Sequence, residues 1–204
     1  MTSMIGILIF EDAEELDFVG PYEVFTMINE VFQRGDKERP HEVLLVAEHD
    51  TPVRCAKGMI VVPHTTIDKC PKLDVLLIPG GQGTRREVKN EALLSWISKT
   101  STSCQWVTSV CTGALLLTAA GPARAKRVTT HWGFVEQLRA RNEASEVLER
   151  VRYVRDGNVV TAAGVSAGID MALWLTGQIH SPAVARNVQR AMEYDPSPPY
   201  AAEV

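Results

Sequence analysis

The sequence predicts an α/β fold, with a mostly parallel central sheet and helices on both faces. Three observations lead there. Short apolar runs rich in β-branched residues recur along the chain without polar alternation, as strands buried on both faces require. Helical stretches separate them, which is the alternation of layered α/β proteins. One run, residues 106–110 (WVTSV), passes straight into an apolar helix through Cys111-Thr112-Gly113, a strand-to-helix corner with a nucleophile-type residue at its tip.

In chain order, residues 5–10 (IGILIF) make the first buried strand, and residues 11–17 form an acidic loop. Pro21 suits the first turn of a helix, whose broad apolar surface carries Tyr22, Phe25, Met27, Ile28, Val31 and Phe32. A polar loop spans residues 35–40, and residues 42–47 (EVLLVA) are the second strand. Residues 52–63 flank Ala56-Lys57-Gly58 as a small hairpin. Residues 73–78 (LDVLLI) form another buried strand, ending in Pro79-Gly80-Gly81, where glycine lets backbone come close to a ligand. Leu93, Leu94 and Ile97 give residues 90–98 an amphipathic helix. Beyond the corner, residues 128–132 read as extended and 133–141 as a helix. Residues 151–154 and 159–162 flank Arg155-Asp156-Gly157-Asn158 as a second hairpin. Gly164-Val165-Ser166-Ala167-Gly168 leads into a helix over residues 169–178. Pro182 opens a last helix to about Tyr194, which the prolines of residues 195–199 cannot continue. With no repeat or linker composition, residues 1–204 are expected to be one domain.

Composition narrows the function classes. The chain is 45% apolar and 23% charged with a net charge of −4, so no basic surface argues for nucleic acid. The N-terminal apolar run is too short for a membrane span and lacks a basic flank, so a cytoplasmic protein is expected. Cys55, Cys70, Cys104 and Cys111 show no zinc-like spacing, and no metal site is expected.

Sites in parallel sheets lie beyond the strands' carboxyl ends. Four loops share that edge: residues 11–17, 80–83, 111–113 and 164–166. Cys111 is the candidate nucleophile, its thiolate favoured by the helix N-terminus. Asp17 is a candidate proton donor, since an acid beside a thiolate keeps its proton; the other reading is an exposed helix-capping acid. Gly80 and Gly81 are candidate N–H donors to a developing anion, or simply a tight turn. Thr112 offers a hydroxyl beside the sulfur. His131 is either a secondary base or a helix cap, and Val165 lies in the fourth loop. Glu14 and Glu15 are expected to be solvated, and Cys55, Cys70 and Cys104 to lie away from the site.

These residues together resemble the DJ-1/PfpI superfamily of the class I glutamine amidotransferase-like, flavodoxin-like fold. The likeness is carried by LDFVGPYEVF, DVLLIPGGQG, SVCTGALLLTAAG, TTHW and TAAGVSAGIDMAL, nearly the whole chain. Within it, Asp17, the Cys111-Thr112 pair and the tail YDPSPPY are most similar to isonitrile hydratases. The resemblance implies a homodimer and hydration of a small-molecule isonitrile to an N-substituted formamide. Asp17 would protonate the isonitrile carbon, Cys111 would form a covalent thioimidate, Thr112 would orient the acid or water, and no cofactor would be needed. Surplus apolar surface on the first helix is consistent with a partner subunit. PfpI-type proteases carry His where this chain has Thr112, and DJ-1 carries Glu where it has Asp17. The alternatives are an oxidation-sensing DJ-1-like protein and a non-catalytic relative of AraC-type regulators. The latter need a further DNA-binding domain, which is not expected in a chain stopping at Val204.

Overall fold

The computed structural model of the chain describes residues 2–35 and 38–195. β1 (Ser3–Leu8) leads into α1 (Glu15–Gln33). β2 (His41–Ala47) follows, then a small antiparallel pair, β3 (Val53–Arg54) and β4 (Ile60–Val61), and the two-residue β5 (Thr65–Thr66). β6 (Val75–Ile78) precedes a single turn, α2 (Thr84–Glu87), and α3 (Glu91–Ser101). β7 (Trp106–Val110) runs into α4 (Gly113–Ala120). β8 (Arg127–Thr129) and β9 (Glu146–Leu148) pair with each other around a 3-10 turn (Trp132–Phe134) and α5 (Val135–Ala140). β10 (Tyr153–Asp156) and β11 (Val159–Ala162) form the second hairpin, and α6 (Ala167–Ile179) and α7 (Pro182–Ala191) close the chain.

The main sheet has seven strands in the order β10-β11-β7-β6-β1-β2-β5, and only β10 runs antiparallel to its neighbour. β6, β7 and β11 are buried at every residue, which is why they read as unbroken apolar runs. α1, α6 and α7 pack together, and α4 packs with α2 and α3. Asn90 caps α3 by accepting the Leu93 N–H, a contact worth about 1 kcal/mol. No described helix is long and apolar enough to cross a membrane.

Several expectations change. α1 begins at Glu15, so Pro21 lies inside the helix rather than in its first turn. It therefore removes one N–H from the helical ladder, that directed at the Asp17 carbonyl. Asp17 belongs to the first turn of α1, not to a loop. Part of the apolar surface of α1 is used within the chain, where Phe32 meets His180 and the helix packs against α6 and α7. The final helix stops at Ala191, short of Tyr194. Most of the 195–199 segment lies outside the described residues, as do two residues of the 35–40 loop. β5, α2 and β9 had no sequence signal, being two to four residues long.

Register places the site. Ile7 pairs with Leu77, Ile78 with Ser109 and Val110 with Ala162, so β1, β6, β7 and β11 end side by side. The four loops singled out in the sequence continue from those ends.

Candidate active site

The corner at Cys111 is built by its neighbours. Its backbone is left-handed (φ 56°), a conformation that costs a non-glycine residue on the order of 1–3 kcal/mol. The Cys111 N–H donates to the carbonyls of Ala162 (3.2 Å) and Ala163 (2.9 Å), and the Thr130 hydroxyl donates to the Cys111 carbonyl (2.9 Å). Gly113 follows because a Cβ there would overlap the Ile78 carbonyl oxygen; α4 packs that close to β6. Val165, in the neighbouring loop, is also left-handed (φ 52°), which is strained for a β-branched residue.

Asp17 is fully buried. Its Oδ2 accepts the Gly80 N–H at 2.8 Å, while Oδ1 is buried without a hydrogen bond of good geometry. The Cys111 thiol and the Val165 N–H are the other groups at the carboxyl. Burial pushes the Asp17 pKa from 3.8 up to about 7, against the Gly80 N–H and with help from the negative charge of Glu14. An acid poised near neutrality can both take and give a proton.

The surroundings of the sulfur work against the thiolate expected there. Burial, and then the Asp17 charge, push the Cys111 thiol up to about 12; the Thr112 N–H and hydroxyl oppose this without overcoming it. With two anionic forms competing in one dry space, the sulfur and the carboxyl do not both give up their protons across the neutral range.

The glycine turn is engaged differently from the expectation. The Gly80 N–H is taken by Asp17, and the Gly81 N–H donates to Thr112 Oγ1 at 3.0 Å. Neither N–H is free for a developing anion; they hold the acid and the hydroxyl in place. Thr112 touches neither Asp17 nor a helix N–H. Its hydroxyl sits among the Gly81 carbonyl (3.2 Å), Thr84 Oγ1 (3.1 Å) and Arg85 Nη1 (3.5 Å).

His131 lines the same cavity, and its Nδ1 accepts the Gly133 N–H at 3.1 Å as the cap of the 3-10 turn. Among the described residues no hydrogen bond joins it to Cys111. Glu14 and Glu15 are not solvated: their side chains are only 16% and 13% exposed. The β3–β4 hairpin folds over them, Lys57 pairs with Glu14, and the Lys57 N–H donates to Glu15 at 2.6 Å. Cys55 is likewise nearer than expected. It precedes Ala56, which donates to the Ala13 carbonyl and lines the cavity, but burial first, and then Glu15 and Glu11, raise the Cys55 thiol to about 11. Cys104 lies before β7, at the opposite end of the sheet.

The cavity above Cys111 has a volume of about 160 Å³ and also takes walls from Gly81, Arg85, Phe134 and Val165. A larger one of about 600 Å³ lies beyond β1 and β2; it shares Arg85 with the smaller one, but Cys111 does not line it. The smaller cavity is the one that reaches Cys111. Arg85, Thr84 and Phe134 were missed from sequence. Arg85 and Thr84 belong to the unsignalled turn α2, and Phe134 reaches the cavity only through tertiary packing.

A sequence model of the DJ-1/PfpI family matches residues 3–178. The chain is 39% identical over 200 residues to the isonitrile hydratase of Pseudomonas putida, an alignment covering 98% of this chain and 82% of that protein. It superposes on the crystal structure of a THiJ/PfpI family protein from Pseudomonas syringae with a TM-score of 0.87 and 30% identity, covering 100% of this chain and 80% of the other. Drosophila melanogaster DJ-1beta shares the fold at a TM-score of 0.82 and 18% identity, over 96% of this chain and 100% of the other.

Proposed function

The chain belongs to the DJ-1/PfpI family, and from that premise we propose that it is an isonitrile hydratase, converting small isonitriles to N-substituted formamides. The observation that carries the reading is the Asp17 carboxyl, buried against Cys111 and raised to about 7. Hydration of an isonitrile needs a nucleophile and a proton delivered to the same carbon, and this pair supplies both. The 39% identity to a Pseudomonas putida isonitrile hydratase supports the same chemistry.

The steps follow from the protonation states. Asp17, as carboxylate, accepts the Cys111 proton while sulfur attacks the isonitrile carbon. The acid so formed passes that proton to the carbon, giving a thioimidate, S–CH=N–R, with Asp17 a carboxylate again. Water adds across the C=N bond, its oxygen to carbon and a proton to nitrogen. The C–S bond then breaks, the former water oxygen becomes the formyl oxygen, and its proton returns through Asp17 to sulfur. One isonitrile and one water give one formamide. Gly80 orients the acid through its N–H, and Gly81 holds the Thr112 side chain beside the sulfur. Val165 closes the cavity wall, and His131 serves as a cap rather than as the base.

A homodimer and a cytoplasmic setting belong to the same proposal. Exposed Leu16, Met59, Ile60 and Val62 are apolar surface near the hairpin that a second copy would cover. Light scattering tests the dimer. Incubation with a panel of small isonitriles, read by NMR for the formyl proton, tests the activity. Formamide is expected with wild type and not with Cys111→Ala; a panel that yields none ends the reading.

A further inference from the structure

α2 presents two consecutive arginines that are used in opposite ways. Arg86 is neutralised: it pairs with Glu87 at 2.8 Å and with Asp12 at 3.4 Å, and donates to the Glu11 carbonyl at 2.7 Å. Arg85 has no acidic partner among the described residues. Its hydrogen bonds all leave from Nη1 and all reach neutral oxygens: the Gly81 carbonyl at 2.9 Å, Thr84 Oγ1 at 3.2 Å and Thr112 Oγ1 at 3.5 Å. Its guanidinium lies over the Phe134 ring, 4.7 Å from the centroid, which fixes its plane. Arg85 and Phe134 both line the Cys111 cavity.

That arrangement leaves the Nε–Nη2 edge without a protein acceptor. It is the edge whose two parallel N–H groups match a carboxylate in bidentate fashion. Arg85 is exposed, so water solvates this edge while the cavity is empty, and no acidic side chain among the described residues occupies it. Glu14 is the acid on the cavity wall, and Lys57 already neutralises it. Asp17 is committed to Gly80 and Cys111.

We infer that the substrate itself brings the anion: an isonitrile whose substituent ends in a carboxylate held by Arg85. The inference rests on the hydratase reading and narrows its substrate class. Size agrees with it. The cavity of about 160 Å³ suits a small substituent. Arg85 also reaches the hydroxyl of Thr112, the residue next to Cys111, so few bonds separate the carboxylate from the reacting carbon. Isocyanoacetate has these properties.

The test compares isocyanoacetate with its methyl ester, and both with cyclohexyl isocyanide, using wild type, Arg85→Gln and Arg85→Lys near pH 8. In wild type the acid is expected to exceed the ester in kcat/KM by roughly ten- to a hundredfold, the range for a hydrogen-bonded charge pair. Arg85→Gln should bring the acid-to-ester ratio close to one, and Arg85→Lys should leave an intermediate ratio. Because the ratio is read within each variant, a general loss from disturbing Thr112 cancels. An ester turned over as well as the acid by wild type, or a ratio unmoved in Arg85→Gln, overturns the inference. Turnover of cyclohexyl isocyanide without turnover of isocyanoacetate overturns it while leaving the hydratase standing. No formamide from any of the three overturns both.

Discussion

Asp17→Asn should make the protein more stable and at the same time inactive. The acid is fully buried, and its pKa rises from 3.8 to about 7 on folding. At low pH both states hold the proton, and the group costs nothing. As pH climbs past 3.8 the unfolded chain releases its proton while the folded chain keeps it, so stability falls until pH passes about 7. At about 1.4 kcal/mol per pH unit, the loss reaches roughly 4 kcal/mol at pH 8. Asn has nearly the same volume, retains an oxygen for the Gly80 N–H, and does not ionise. The gain should therefore be roughly 4 kcal/mol at pH 8, or about 8–16 °C in the unfolding midpoint for a chain of this size. At pH 5 it should shrink below about 2 kcal/mol. Thermal or urea unfolding at the two pH values, with an isonitrile assay alongside, measures all of this. A gain equal at both pH values, or no gain at pH 8, would refute the argument that Asp17 is held protonated by its burial.

Other outcomes follow from the same geometry. Cys111→Ser should keep the fold and lose formamide production by at least a thousandfold on the order expected for a lost nucleophile, checked by circular dichroism and NMR. His131→Asn should retain most activity, since an Asn side chain can also cap the 3-10 turn; a loss as complete as that of Cys111→Ser in steady-state assays would make His131 a base after all. The kcat/KM profile should rise through an apparent pKa near 7 as Asp17 becomes able to accept the thiol proton, and should show no falling limb from Cys111 before strongly alkaline pH. A profile flat from pH 5 to 9 would remove Asp17 from the proton path.

The sheet was legible because doubly buried strands leave an unmistakable mark: VLLI and WVTSV have no polar face to show. The corner was legible too, since a Cys between such a strand and GALLL has few other conformations open to it. Where reading along the chain misled, the cause was distance in sequence. Pro21 looked like a helix start because proline after a glycine suits a first turn. Glu14 and Glu15 at the true helix start are held by Lys57, about 40 residues away, which no local pattern announces. Gly80 and Gly81 were rightly placed and wrongly employed, because the side chains that occupy their N–H groups come from α1 and from the corner. The thiol's raised pKa depends on how completely the site is enclosed, a quantity that exists only after folding. Arg85 was invisible for a related reason: a four-residue turn has no periodicity to mark it.

The two borders of the main sheet bear on how copies of this chain can associate. At one border β5 is only two residues long, too short a template for another strand to zip along. At the other, β10 carries Arg155 and Asp156, and Arg155 lies over the rings of Trp106 and Trp174. A strand laid against that border would face charged side chains and disturb the arginine's seat on the two indoles. Both borders thus discourage ribbon-like growth, in which one sheet continues into the next and polymerisation has no natural stopping point. Cys111 follows β7 in the interior of the sheet order, so it lies at neither border and its cavity is set apart from both edges.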